Sequence, residues 1–259
     1  MKPSVDEYLP LSLKKEKSDF QRGLSINETS KLPALKNHYP NPSAIPARHQ
    51  RYKMTIVWDL DQTLVSAEGL PGEKNKSYDH KLIIRPRANE VLNLIRAIPE
   101  VEFIVWTAGD PSHAKRVCYS LGLDYFDYII SRSSYWDVIK DLNMLEKTGR
   151  SLHSMILIDD RMDIGLPHPE NLLIVPAYIP GDCGANDATM LYLANIIFRC
   201  CIKYLKNDGK YPLRMYLHSP LTQRCRDYQD GRYGKEDYYG VNCLTSKQQL
   251  AERIQMFRR

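Results

Sequence analysis

Two carboxylates at alternate positions, Asp59 and Asp61, follow directly on the apolar run Met54 to Trp58. An unbroken apolar run is how a strand covered on both faces reads. In open α/β sheets, ligands bind just past the carboxyl ends of such strands. Two aspartates placed there form a candidate pair of nucleophile and general acid, or a site for a hard metal ion. The plainer alternative is a pair of solvated turn residues or a cap for the next helix. A cap needs neither the apolar strand before it nor Thr63 after it.

Three more polar clusters follow the same logic. Thr107 comes directly after Phe103-Ile104-Val105-Trp106, and Asp159-Asp160 directly after Met155-Ile156-Leu157-Ile158. Lys140 lies in Asp137-Val138-Ile139-Lys140-Asp141-Leu142, between the runs Tyr128–Ile130 and Met155–Ile158. If the strands are parallel, these groups converge on one edge of the sheet. Hydrolysis of a phosphate ester needs such a set: a nucleophile, a proton donor for the leaving oxygen, and positive charge around the phosphoryl oxygens. A bare carboxylate repels a phosphate dianion, so a divalent cation such as Mg²⁺ is required, held by Asp59 with Asp159 or Asp160. Asp59 would attack, and Asp61 would protonate the leaving group and later activate water. The Thr107 hydroxyl and the Lys140 ammonium would hold the phosphoryl oxygens.

The elements that must carry these residues alternate. The strands predicted are Met54–Trp58, Leu82–Ile84, Phe103–Trp106, Tyr128–Ile130, Met155–Ile158 and Leu172–Val175. Asn89 to Ile98 has helical spacing, and Asp110-Pro111 opens another helix as N-cap and first-turn proline. Ala188 to Leu205 is the most apolar long stretch, yet it carries Arg199 and Lys203 and reads as a core-packed amphipathic helix rather than a membrane span. Strand and helix in repetition imply an α/β fold, a parallel sheet with helices on both faces.

Residues 1–50 are polar and broken by prolines, and read as an extension with one short helix at most. Residues 51–207 form the expected catalytic domain. Residues 208–259 hold several tyrosines among Arg and Lys, and read as a lid or an interaction region. The formal charge of +5 suits an anionic partner, a phosphoprotein or an acidic membrane surface, and is too small to argue for nucleic acid. None of the six cysteines is in a C-x-x-C spacing, which speaks against zinc and for reduced thiols in a cytoplasmic protein. The start of the chain has no apolar segment of the secretory type.

The order Asp59-Leu60-Asp61-Gln62-Thr63-Leu64, Trp106-Thr107-Ala108, Val138-Ile139-Lys140-Asp141-Leu142 and Ile156-Leu157-Ile158-Asp159-Asp160 resembles the haloacid dehalogenase (HAD) superfamily. Within it the likeness is to the C-terminal-domain phosphatase type (FCP/SCP-like, NLI-interacting-factor-like). Arg85-Pro86 before a helix and His168-Pro169-Glu170-Asn171 after the last acids add to the likeness, which spans about residues 53–207. The resemblance implies a Rossmann-like HAD core, dependence on Mg²⁺, Asp59 as nucleophile passing through an aspartyl-phosphate, and Asp61 as acid and base. It implies Thr107 and Lys140 on phosphate, the Asp61 carbonyl and Asp160 side chain on metal, and Asp159 in support. There are departures: Gln62 stands where the family usually has Glu, Asp160 where close relatives often have Asn, and Arg161 where a small residue is usual. Arg161 is open to two readings, a contact to substrate phosphate or plain exposure. A second metal frame, Asp159 with Asp163, has the right spacing, but Asp163 should point away from the strand end.

Small-molecule phosphatases of this superfamily usually carry a large cap that excludes water. Here Ser66 to His80 is only a polar loop, with Pro71 at a candidate flap, and Asp110 to Lys140 leaves no room for a large cap. An open site favours phosphate displayed on a protein, as phosphotyrosine or as phosphoserine/threonine. The rival expectations are a small-molecule phosphatase with the tail as lid, and a non-catalytic binding module of the same fold. Delivery into a host cell as a bacterial effector is compatible with the unmatched flanks.

Overall fold

The computed structural model describes residues 21–67, 82–122, 125–132, 139–161, 163–165, 167–180 and 187–217. The candidate flap at Pro71, the tail beyond Leu217 and the thiols of Cys183, Cys225 and Cys243 lie outside them.

Strands are numbered in chain order: β1 (Gln21–Arg22), β2 (His38–Tyr39), β3 (Met54–Trp58), β4 (Val65–Ser66), β5 (Ile83–Ile84), β6 (Val101–Trp106), β7 (Tyr128–Ile130), β8 (Met155–Asp159) and β9 (Leu172–Ile174). Helices are α1 (Ile26–Ser30), α2 (Ala88–Arg96), α3 (Pro111–Leu121), α4 (Asn143–Glu146) and α5 (Thr189–Lys206). Six strands make one sheet in the order β2-β7-β6-β3-β8-β9, every pair parallel. Every residue of β3, β6, β8 and β9 is buried, so both faces of the sheet centre are covered. That is the α/β architecture the alternation predicts.

The chain starts the sheet centre at β3, builds outward through β6 and β7, then crosses back to β8 on the other side of β3. The order therefore reverses beside β3. A crevice opens at such a switch point, beyond the carboxyl ends of the strands. Asp59 is the first residue past β3.

The predicted strand at Leu82–Ile84 exists as β5 but belongs elsewhere. It pairs antiparallel with β4 and β1 in a separate three-stranded sheet. Part of the N-terminal fifty residues is also built into the body. β2 extends the main sheet at its edge, and Ile45 is 3% exposed within the core. The short helix α1 is held by a capping box between Ser25 and Glu28. Helix α5 buries twelve of its eighteen residues, Cys200 and Cys201 among them.

Candidate active site

The turn after β3 is fixed before any side chain enters it. Asp59 N donates to Ile158 O of β8 at 2.9 Å, and Leu64 N and Val65 N return to Leu60 O. Gln62 takes φ +58°, the left-handed region, which lets the chain double back three residues after Asp59. Underneath lies Arg85, completely buried. Its Nη1 donates to Gln62 O and Thr63 O, its Nη2 to Pro176 O and Thr189 Oγ1, and its Nε to Asp187 Oδ2. One guanidinium thus ties the turn to the segment after β9 and to the start of α5.

Above this turn is a cavity of about 270 Å³ lined by Asp59, Asp61, Thr107, Lys140, Asp159 and Asp160. All six sequence-predicted site residues line it. Lys140 Nζ donates to Asp59 Oδ1 at 2.5 Å and to Asp159 Oδ2 at 2.6 Å. The other Asp159 oxygen accepts from Arg161 N at 2.9 Å. Asp160 is placed differently. Its Oδ1 makes a long 3.5 Å contact to the Thr63 hydroxyl, and its Oδ2 is buried with no hydrogen-bond partner. Thr107 Oγ1 accepts from Gly109 N at 3.0 Å and lies 3.5 Å from Asp61 Oδ2.

The charges do not balance. Asp59, Asp159 and Asp160 bring oxygens within 4.8 Å of one another, and Lys140 is the cation between them. Burial, against the pull of Lys140 and with the push of Asp159 and Asp61, raises the Asp59 pKa to about 7. Burial, then the charges of Asp59 and Asp159, raises Asp160 to about 8. Burial pulls Lys140 down, but the carboxylates of Asp159 and Asp59 outweigh it and hold its pKa above the ordinary value. A divalent cation fits this set: the donors are hard oxygens, there is surplus negative charge, and one buried oxygen has no partner. Among the described residues this is where three such side chains cluster.

Asp163, the rival partner for Asp159, is not in the cluster. Its carboxylate takes both Nε and Nη2 of Arg161, at 3.1 and 2.6 Å. Arg161 therefore lines the cavity while its head is engaged outward on Asp163.

Two residues around the cavity fall outside the sequence-predicted set. Arg85 enters the sequence pattern only as half of the Arg85-Pro86 pair before a helix. His113, in the first turn of α3, places Nε2 2.7 Å from Asp61 Oδ1. Burial lowers its pKa, but the Asp61 hydrogen bond and charge prevail, so it sits above the ordinary histidine value. The one available signal was its spacing: it stands three residues after the N-cap Asp110 of the helix that follows Thr107.

No curated protein sequence matches the chain. Among solved structures, Fcp1, an essential RNA polymerase II CTD phosphatase, is similar at 18% identity with TM-score 0.40, covering 81% of this chain and 62% of that one. A fission yeast Fcp1 variant bound to beryllium fluoride gives TM-score 0.38 at the same identity and coverage. An uncharacterized protein from Listeria monocytogenes serotype 4b gives 0.34 at 18% identity, over 49% of this chain and 87% of that one. This chain thus spans 62% of the length of the Fcp1 chains. The family model for NLI interacting factor-like phosphatases matches residues 54–204, from the first residue of β3 almost to the end of α5 and more than half of the chain. By that match, the chain belongs to the NLI interacting factor-like phosphatase family.

Proposed function

We propose that this protein is a Mg²⁺-dependent phosphoprotein phosphatase that works through an aspartyl-phosphate on Asp59. The observation that carries the reading is the buried acid cluster of Asp59, Asp159 and Asp160 at the β3 switch point, with one lysine inside it and with Asp160 Oδ2 buried and unpaired. Asp59, Asp160 and the Asp61 carbonyl would hold the metal. Asp159, with both oxygens already engaged, supports Lys140 instead. The bound cation would supply Lewis-acid stabilisation of the phosphoryl oxygens and neutralise the acids around them.

The chain's own groups do the rest. Lys140 limits rotation of Asp59 by holding Oδ1, and its ammonium faces the developing negative charge. Thr107, its hydroxyl already oriented by Gly109 N, offers its proton to a phosphoryl oxygen. Asp59 attacks phosphorus in line. Asp61, at the half-exposed rim, gives a proton to the departing oxygen and takes one from water in the second half-reaction. A small, open cavity fits a phosphoryl group carried on a phosphotyrosine or a phosphoserine/threonine. We assign this chemistry to residues 51–207. Buried free thiols at Cys118, Cys200 and Cys201 accord with a reducing, cytoplasmic setting.

The test is hydrolysis of phosphotyrosine, phosphoserine and phosphothreonine peptides beside sugar phosphates, with Mg²⁺ and with EDTA. Peptide turnover that needs Mg²⁺ and disappears in Asp59→Asn is the expected result. Turnover of sugar phosphates alone would replace the reading with a small-molecule phosphatase. No metal-dependent turnover of any ester would leave a binding module.

A further inference from the structure

The acid assigned to the leaving group sits on the rim of the cavity, its side chain 41% exposed. A half-exposed aspartate has several χ1 rotamers and a soft carboxyl torsion open to it unless a neighbour holds it. Proton donation needs an oxygen held within hydrogen-bond reach of the departing atom. The contact from His113 Nε2 to Asp61 Oδ1 removes that freedom.

The imidazole is itself well anchored. Asp110 caps α3 and accepts from Ser112 N at 2.8 Å and from His113 N at 2.9 Å, while Pro111 occupies the first turn. Gly109 then leaves room for the ring. A Cβ at position 109 would lie 2.7 Å from His113 Cδ2 and 3.2 Å from Thr107 Oγ1. Gly109 is not among the positive-φ glycines, so close approach, not backbone freedom, is what calls for glycine there. A larger residue would move the ring off Asp61 or disturb the Thr107 hydroxyl.

We propose that His113 is a positioning residue for the general acid: it holds Asp61 Oδ1, so that Oδ2, on the Thr107 side, carries the proton to the leaving group. The proposal rests on the phosphatase reading above. In the first half-reaction the Asp59–phosphorus bond forms, the bond to the leaving oxygen breaks, and that oxygen takes the Asp61 proton. In the second, water attacks phosphorus, Asp61 takes the water's proton, and the Asp59–phosphorus bond breaks. His113 transfers nothing in either step; with Nε2 protonated, it donates a hydrogen bond to Oδ1.

The experiment compares wild type, His113→Ala, His113→Gln and Gly109→Ala on aryl phosphates graded from a good leaving group (4-nitrophenyl) to a poor one (phenyl), with Mg²⁺ present. A poor leaving group depends on the acid most. Expected is a loss of ~10- to 100-fold for His113→Ala on phenyl phosphate and a several-fold smaller loss on the 4-nitrophenyl ester, hence a steeper leaving-group dependence. His113→Gln, which can place a donor near the same spot, recovers part of it. Gly109→Ala, which keeps the histidine but crowds it, steepens the dependence as well. Thermal melting of each variant checks that it is folded. An equal loss across the series, or no loss, overturns the positioning role. Wild type inactive on every ester would instead overturn the phosphatase reading beneath it.

Discussion

Two clusters of buried charge sit near opposite ends of the same strands and are built by opposite rules. At the amino end, Glu102 of β6 meets Arg150 in a two-pronged pair, Nε to Oε2 at 2.8 Å and Nη2 to Oε1 at 2.6 Å. Both side chains are fully buried. Thr55 adds a donor to Glu102, and the Pro46 carbonyl accepts from Arg150. The pair is one charge against one. At the carboxyl end, Lys140 faces Asp59, Asp159 and Asp160, and one oxygen has no hydrogen-bond partner. The first arrangement is closed within the protein. The second needs something from outside, which is why it reads as a working site and the other as scaffold.

The comparison breaks most sharply with Asp59→Asn. This change removes the proposed nucleophile, so Mg²⁺-dependent turnover of an aryl phosphate should fall by at least ~10³-fold. It also removes one of the crowded carboxylates, so the metal-free melting temperature should hold or rise. The mirror-image change, Arg150→Met, strands Glu102 in the core and should cost about 3–5 kcal/mol in denaturant unfolding. The double change Arg150→Met with Glu102→Leu should recover much of that loss, since no lone charge then remains buried.

The effect of pH sharpens the contrast. Asp59 and Asp160 have folded-state pKa values of about 7 and about 8, above those of an unfolded chain. The folded metal-free protein therefore keeps protons that the unfolded chain has already lost, and its stability declines as pH rises from ~4, where the unfolded carboxyls ionise, to ~8, and levels off above that. Mg²⁺ takes the deprotonated acids, so it should raise the melting temperature more at about pH 8.5 than at about pH 6. Equal shifts at both values would sink the assignment of these acids as ligands. The smallest effect belongs to the partly exposed pair Arg161–Asp163, where Arg161→Ala should change stability by about 1 kcal/mol or less.

Much of the site was legible because strand ends are. Asp59, Thr107 and Asp160 each come directly after a buried run, Asp159 closes one, and a parallel sheet brings such positions to one edge. His113 was not legible: a single histidine in an amphipathic helix has the same pattern whether it meets solvent or a carboxylate. Arg85 shows in the sequence only as part of a motif, because its five donors go to backbone and side chains from 22 to 104 residues away. The apolar run at Leu82–Ile84 revealed a strand but not its partners, since periodicity carries no information about pairing direction. β1 and β2, two residues each, are too short to leave any pattern.

Arg85 gives this fold an unexpected dependency. Every proposed chemical group precedes position 161, so a shortened chain ending after Asp160 would keep them all. It would lose Pro176, Asp187 and Thr189, the anchors from which the Asp59 turn is suspended. The geometry of that turn is thus borrowed from sequence that comes after it, and during synthesis the turn can be locked only once the start of α5 has emerged.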